Sequence, residues 1–146
     1  MDNNITRNHI FYIIISEDTT EIGPSDSKAH LIYNPILVRR GELPQAHYIT
    51  LNIALQYTFT QDTTLLAVIF TPQKQTLTEV DLYDFLTQHE SIKNDFYRGV
   101  IILQSHEKII FEQEGEYSVV IFSNDEPIFE TFFVIEDEGD TNEQSS

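Results

Sequence analysis

Cysteine is absent from this 146-residue chain, and lysine and arginine are scarce. Without cysteine the chain can form neither a disulfide framework nor a thiolate zinc site, and its composition fits a reducing compartment. The N-terminal segment lacks the basic region and the small-residue cleavage site of a signal peptide. Its apolar run, residues 10–15, is six residues long, whereas a membrane-spanning helix needs about 18 to 20. We therefore expect a cytoplasmic protein that does not bind membranes.

Acidic residues outnumber basic ones by 24 to 8, which gives a formal net charge of −16. A surface with this charge repels nucleic acid, so nucleic acid is not an expected partner. The same charge also allows an alternative function. An acidic surface can mimic nucleic acid and inhibit a nucleic-acid-processing enzyme by occupying its basic site. Five acids lie near the C-terminus, namely Glu136, Asp137, Glu138, Asp140 and Glu143. We expect residues 137–146 to form an acidic, disordered tail.

Glycine is also scarce, with five residues in the chain, and no phosphate-binding loop, dinucleotide fingerprint or nucleophile elbow is present. The five histidines are scattered, and no two of them lie three or four positions apart, so a metal site would need ligands from distant segments. We expect no catalytic residue, no cofactor and no metal ion. An enzyme or small-ligand binder of unrecognised type, using His47, His106 or Asp81, is the remaining alternative.

Alternating and fully apolar segments predict a series of short β-strands. Residues 48–59 alternate apolar and polar side chains over twelve positions, which predicts one face in the core and the other in water. Residues 10–16 are apolar on both faces and predict a buried strand. Residues 17–28 predict a loop. Pro35 makes residues 29–40 either an edge strand or two short strands that meet at a bend.

One segment differs in kind, because its apolar residues are spaced as in a helix. Residues 78–81 (TEVD) resemble a capping box with Asp in place of Glu, and apolar side chains follow at positions 80, 82, 83, 85 and 86. The pattern predicts a short helix over residues 79–89, within a helical insertion at about residues 77–90.

The C-terminal part of the chain predicts a β-hairpin made of residues 117–123 and 128–136, with a turn at residues 124–127. Gly115 and Tyr117 open the first of these strands. The Tyr117 hydroxyl can reach back to the backbone just upstream, as in the tyrosine corner of β-sandwich domains. We therefore expect Tyr117 to stabilise the fold rather than to act in function.

Seven to nine short strands, with turns between them and one helical insertion, predict an antiparallel β-sandwich of the immunoglobulin-like type in a single domain of residues 1–136. In such a fold residues 65–71, 117–123 and 128–136 are neighbours in one sheet, and residues 48–59 belong to the other.

The three strands assigned to one sheet carry apolar residues on both faces, and periodicity does not tell which set faces the core. The candidate outward set is Leu66, Val68, Phe70, Val120, Phe122, Phe132 and Val134. An outward apolar set must be covered, either by the helix of residues 77–90 or by a protein partner, including a second copy of the chain in a homodimer. We therefore expect a non-enzymatic module that binds protein through one face of the sandwich.

The segment that leads into the hairpin, residues 111–117 (FEQEGEY), supplies the most specific motif in the chain. With Gly115, Tyr117 and the two strands that follow, the layout of residues 10–136 resembles a group of small uncharacterised bacterial domains of the immunoglobulin-like β-sandwich type. Those domains have proline at the position of Glu114. The resemblance implies a β-sandwich and implies no catalytic residues.

Overall fold

β-Strands make up most of the computed structural model, which describes residues 8–24, 29–89 and 96–139. The fold is mainly β with one short α-helix, as the sequence predicted, but the described residues form eleven strands rather than seven to nine, and one strand pair is parallel. Within these residues no helix is long and apolar enough to cross a membrane. In chain order the elements are β1 (His9–Ile22), β2 (Ala29–Pro35), β3 (Val38–Gly41), β4 (Gln45–His47), β5 (Thr50–Thr58), β6 (Leu65–Phe70), β7 (Thr76–Asp81), α1 (Leu82–His89), β8 (Phe96–Gln104), β9 (Ile109–Phe111), β10 (Gly115–Ser123) and β11 (Glu126–Asp137).

The strands form two larger sheets and one small one. The first sheet has four antiparallel strands in the order β2–β1–β5–β8, and the second has five strands in the order β3–β11–β10–β6–β7. In the second sheet β3 and β11 run parallel, and the other pairs are antiparallel. β4 and β9 form a separate pair. The predicted separation of residues 48–59 from residues 65–71, 117–123 and 128–136 is therefore confirmed.

Apolar side chains of both larger sheets meet in one core. Ile53 and Leu55 of β5 are fully buried there, as are Val119 and Ile121 of β10. Burial of each such side chain contributes about 1.5–3 kcal/mol. Because alternate residues of a strand point to opposite faces, these positions place the core between the two sheets, which stack as the layers of a sandwich.

The second face of β5 is buried from Thr50 to Ala54, so the prediction that this face contacts water is wrong over that part of the strand. Thr50 and Asn52 are each 1% exposed. The outer half of the β1–β2 hairpin folds over them: the Thr19 hydroxyl donates a hydrogen bond to Asn52 Oδ1 at 2.6 Å. Further across the sheet, Gln104 Nε2 of β8 donates to Asp18 Oδ1 at 2.5 Å. Polar side chains can be buried when they are hydrogen-bonded, and alternation alone does not reveal this.

Two predictions concern the residues of this hairpin, and one of them is partly wrong. The loop predicted over residues 17–28 is wrong in its first half, because β1 continues to Ile22; residues 25–28 lie outside the described residues. Pro35 does separate two short strands, and β2 and β3 belong to different sheets. Ile36 marks the crossing between them, since its N–H still donates to the Ile15 carbonyl of β1 at 2.7 Å.

The helix begins at Leu82 rather than at residue 79, because the predicted capping box belongs to β7. Asp81 is the true N-cap residue: its Oδ1 accepts the backbone N–H of Asp84 at 3.1 Å. Leu82 and Leu86 are fully buried in the core. The helix therefore closes an edge of the sandwich beside β7.

A β-bulge in β7 explains why this strand imitates a helix. Thr76 and Thr78 pair with adjacent residues of β6, and Leu77 is the extra residue between them. The bulge allows Leu77 and Val80, three positions apart, both to pack against the core. Three-residue spacing of apolar side chains is the signal that predicted a helix.

The terminal hairpin is present, but its turn is shorter than predicted. Asn124 and Asp125 alone form it, with φ values of 50° and 70°, as a two-residue hairpin loop requires. Glu126 and Pro127 already belong to β11. That strand runs to Asp137, so the predicted acidic tail begins too early, and residues 140–146 lie outside the described residues.

Candidate interaction face

The outward side of the second sheet carries all seven residues that the sequence singled out. In β6, Leu65, Ala67 and Ile69 belong to the core, so the residues between them point away from it. The same alternation holds in β10 and in the central part of β11, where the core positions are 117, 119, 121, 133 and 135. We call the following set the outer face: Leu66, Val68, Phe70, Val120, Phe122, Phe132 and Val134.

Strand pairing joins these residues into one patch. β10 lies between β6 and β11, and Val120 of β10 pairs directly with Val68 of β6. The rings of Phe70 and Phe122 meet edge to face, with centroids 6.1 Å apart, which is a favourable aromatic geometry. Phe132 of β11 pairs with the buried Ser118 of β10, which lies between Phe132 and Phe70 across the sheet.

The residues at the centre of the outer face are buried, and those at its margin are partly exposed to solvent. Val68 and Val120 are only 4% and 6% exposed, although neither belongs to the core cluster between the sheets. Phe132 is 44% exposed. The other members, Leu66, Phe70, Phe122 and Val134, are half-buried. Exposure thus increases from the centre of the patch to its margin, and a bound macromolecule would bury the apolar surface that is still exposed.

The helix does not cover the outer face, although the sequence allowed that arrangement. Besides the buried Leu82 and Leu86, Tyr83 and Phe85 of α1 also pack against the core between the sheets. The Tyr83 ring lies 4.9 Å from that of Phe59. The apolar residues of α1 therefore face the interior at the sandwich edge.

Acidic residues stand among and beside the apolar ones. Glu79 of β7 pairs with Val68, and Glu130 of β11 pairs with Val120. Directly paired residues share a face of the sheet, so both carboxylates lie on the outward side. Glu116 of β10 joins them by the same alternation, and all three acids are exposed. Negatively charged side chains therefore surround the apolar patch.

Sequence reasoning missed two contributors to this side of the sheet. Glu79 was assigned to the helix, because the bulge at Leu77 hides the period of two. The place of β3 in this sheet was missed, although a strand was predicted there, because no local pattern predicts a parallel pairing with a distant strand. β3 places Val38 beside Val134 and ties Arg40 to Glu136, whose Oε1 lies 2.7 Å from Arg40 Nε.

Tyr117 lies beneath the outer face, on the core side of β10. Its hydroxyl donates a hydrogen bond to the Gln113 carbonyl, four residues upstream, at 2.7 Å, which is the upstream bond expected from the sequence. Its ring contacts Phe111 and Phe133, with centroids 5.1 and 5.4 Å away. Burial raises the pKa of the hydroxyl above its ordinary value. These contacts tie the start of β10 to the core.

The structure does not bring His47, His106 and Asp81 together. Asp81 caps α1, and His47 Nε2 donates to Gln45 Oε1 at 2.9 Å. Burial, assisted by the positive charge of Arg39, lowers the pKa of His47. His106 lines a groove to which neither of the other two contributes. Over residues 8–24, 29–89 and 96–139, no three histidine or acidic side chains form a group that could hold a metal ion.

The outer face offers aromatic rings, aliphatic side chains and carboxylates at its margin. That chemistry is suited to contact with another macromolecule rather than to bond-making, which needs a nucleophile and a base held within hydrogen-bond reach. No protein-family model matches the chain, and no curated protein is significantly similar to it in sequence.

Proposed function

We propose that this protein is a non-enzymatic interaction module that binds a protein partner through the outer face. The observation that carries the proposal is an apolar patch on the outward side of a sheet, with Phe132 44% exposed and α1 directed elsewhere. Rings such as those of Phe70, Phe122 and Phe132 contribute strongly when an interface buries them.

The charges around the patch favour a partner of a particular kind. A symmetric homodimer brings the same patch of two copies together, and it would set Glu79, Glu116 and Glu130 of one copy near those of the other. Repulsion between like charges disfavours that contact, and the net charge of −16 adds to it. A different protein, with an apolar centre bordered by lysine or arginine, is complementary to the outer face.

Affinity capture with matched variants tests the proposal. The baits are the wild-type chain, Phe132→Asp on the outer face and Phe11→Asp on the first sheet, where Phe11 is 51% exposed. From an extract of the cells that make the protein, we expect a partner that the wild type and Phe11→Asp retain and Phe132→Asp loses. With the purified partner, Phe132→Asp should weaken binding at least about tenfold. A partner retained equally by all three baits would contradict the proposal.

Two further measurements separate the remaining alternatives. The purified chain can be tested for a dimer by sedimentation. A dimer that Phe132→Asp dissociates and Phe11→Asp does not would show that the partner is a second copy of the chain rather than a different protein. An acidic mimic of nucleic acid would lose affinity steeply between about 50 and 200 mM salt, whereas an interface dominated by apolar contact changes much less.

We also infer that the sandwich is of the immunoglobulin-like type, as the sequence resemblance implies. Supporting this, β6, β10 and β11 are adjacent in the order of strands C, F and G, and β1, β5 and β8 follow the order A, B and E. The cysteine-free chain allows a direct test of its topology. Val38→Cys with Val134→Cys, which replaces a directly paired couple, should form a disulfide on oxidation, and Val38→Cys with Ile128→Cys should not. Absence of the first cross-link would contradict this topology.

A further inference from the structure

A groove of about 600 Å³ lies at one end of the first sheet, away from the outer face. Its walls come from both strands of the β1–β2 hairpin, the start of β5 and the turn after β8. Two tyrosines line it, Tyr33 and Tyr48, which are 44% and 47% exposed. Exposed aromatic rings in a concave site of this size, within the range of about 300–1,000 Å³, are typical of small-ligand sites.

The polar groups in the groove are varied and fixed in position. Asp18 Oδ1 accepts the backbone N–H of Thr19 at 2.8 Å and the amide of Gln104 at 2.5 Å, which holds the hairpin against the end of β8. The Ser105 hydroxyl oxygen accepts the N–H of Ile49 at 3.0 Å, so its own proton remains available for donation. Among the described residues neither Tyr33 nor Tyr48 has a hydrogen-bond partner for its hydroxyl. Donors and acceptors are therefore both presented to a ligand.

Charges of both signs lie in and around the groove. The Glu17 carboxylate forms an ion pair with Arg39, with 3.2 Å between Oε2 and Nη2. The ammonium group of Lys108 lies 5.7 Å from the centre of the Tyr48 ring, over one face of that ring. The carboxylates of Glu17 and Asp18 disfavour an anionic ligand, and the ammonium group of Lys108 over Tyr48 disfavours a cationic one. Neutral ligands therefore fit better than ions.

We propose that this groove binds a neutral saccharide. Sugar rings present apolar C–H faces, which pack on aromatic rings, and several hydroxyls, which both donate and accept hydrogen bonds. Tyr33 and the free face of Tyr48 supply the aromatic surfaces, and Asp18, Gln104 and Ser105 supply the carboxylate, amide and hydroxyl groups. The site is separate from the outer face, so the proposal stands or falls independently of the protein partner.

Titration of the ¹⁵N-labelled full chain with neutral hexasaccharides, followed by ¹H–¹⁵N NMR spectra, tests the proposal. The probes are maltohexaose, cellohexaose, xylohexaose, mannohexaose and chitohexaose. We expect at least one of them to shift the amides of residues 48–50 and 104–106 saturably. Tyr33→Ala and Tyr48→Ala should each weaken that binding about three- to tenfold.

Tyr12→Ala is the matched control, because Tyr12 belongs to the same sheet, is 41% exposed and lies outside the groove. It should leave the affinity within about twofold. If an alanine variant unfolds, Tyr33→Leu or Tyr48→Leu keeps apolar volume without the ring and should weaken binding in the same way. Tetramethylammonium serves as a probe for a cationic ligand. The proposal is overturned if no hexasaccharide causes the shifts, whether or not tetramethylammonium does, or if Tyr12→Ala weakens binding as much as the groove variants.

Discussion

Thr19 and Asn52 are joined by a hydrogen bond of 2.6 Å between the Thr19 hydroxyl and Asn52 Oδ1, which connects the outer half of β1 to the first residues of β5. The Asn52 amide completes the junction by donating to the Ile14 carbonyl at 2.8 Å and to the Ser16 hydroxyl oxygen at 3.0 Å. Ser16, Thr19 and Asn52 are all buried. The first sheet is therefore closed on its second side by polar contacts rather than by apolar ones.

Asn52→Ala is expected to lower the free energy of unfolding by about 2–3 kcal/mol. The substitution leaves the Thr19 hydroxyl and the Ile14 carbonyl without this partner, and an unpaired buried polar group costs about 1–3 kcal/mol. Urea denaturation at neutral pH measures the loss. Gln61→Ala, in the exposed turn before β6, should change stability by less than about 0.5 kcal/mol. An equally small effect of Asn52→Ala would show that the junction is not stabilising.

Gly115→Ala is expected to destabilise the protein by about 2 kcal/mol or more. Gly115 has a φ of 135°, and a Cβ at this position would lie 2.9 Å from Pro72 Cγ, so alanine meets both backbone strain and a steric clash. Gly41→Ala is the matched control, since its Cβ would lie no closer than 3.7 Å to the Gln45 side chain. Thermal unfolding that shows the same midpoint for both variants would refute this account of Gly115.

Tyr117→Phe should cost about 1 kcal/mol at neutral pH, because it removes the hydrogen bond to the Gln113 carbonyl. It should also remove one source of alkaline unfolding. Burial raises the pKa of Tyr117 in the folded state, so its contribution is complete below an unfolded-state pKa of about 10 and is lost as the pH rises through the folded-state value. Denaturation midpoints at pH 7 and pH 11 measure both effects. Tyr12→Phe, at an exposed position, should behave as the wild type does; a similar alkaline loss in Tyr117→Phe would contradict the assignment.

His47 should make the protein less stable as the pH falls below about 6.5. Burial and then Arg39 lower the pKa of His47 in the folded state, so in mildly acidic solution the unfolded chain binds the proton more readily. The stabilisation present above the unfolded-state pKa of about 6.5 is lost as the pH falls through the folded-state value. His47→Gln should therefore show a smaller drop in urea midpoint between pH 7.5 and pH 5.5 than the wild type. His106→Gln, at an exposed position, should retain the full drop; equal drops in all three proteins would exclude His47 as the cause.

Much of the fold follows from local pattern. Local pattern predicted the strands around Val68, Val120 and Phe132, and the expected sandwich topology correctly placed them side by side in one sheet. The Pro35 bend and the terminal hairpin were also predictable, because proline and turn residues act over a few neighbouring positions. Which of the two apolar sets faces the core was not predictable, because both sets repeat with the same period.

The features that sequence reasoning missed depend on contacts between distant residues. Asn52 has the polarity of a solvent-exposed residue, and only the folded-back hairpin buries it. Leu77 is displaced by a bulge that its partner strand imposes. Tyr33 and Tyr48 line the same groove because the hairpin curves over the end of β5, and no spacing along the chain indicates that meeting.

The position of β11 has a consequence for how the protein folds. β11 is the last strand of the part of the chain that the structure describes, yet it lies between β3 and β10 in the five-stranded sheet. Arg40 and Glu136, which join β3 to β11, are 96 positions apart, and pairings over such distances form slowly. On the ribosome this sheet therefore remains divided until β10 and β11 have been made, and the apolar surface of β6, which is synthesised much earlier, is exposed to chaperones in the interval.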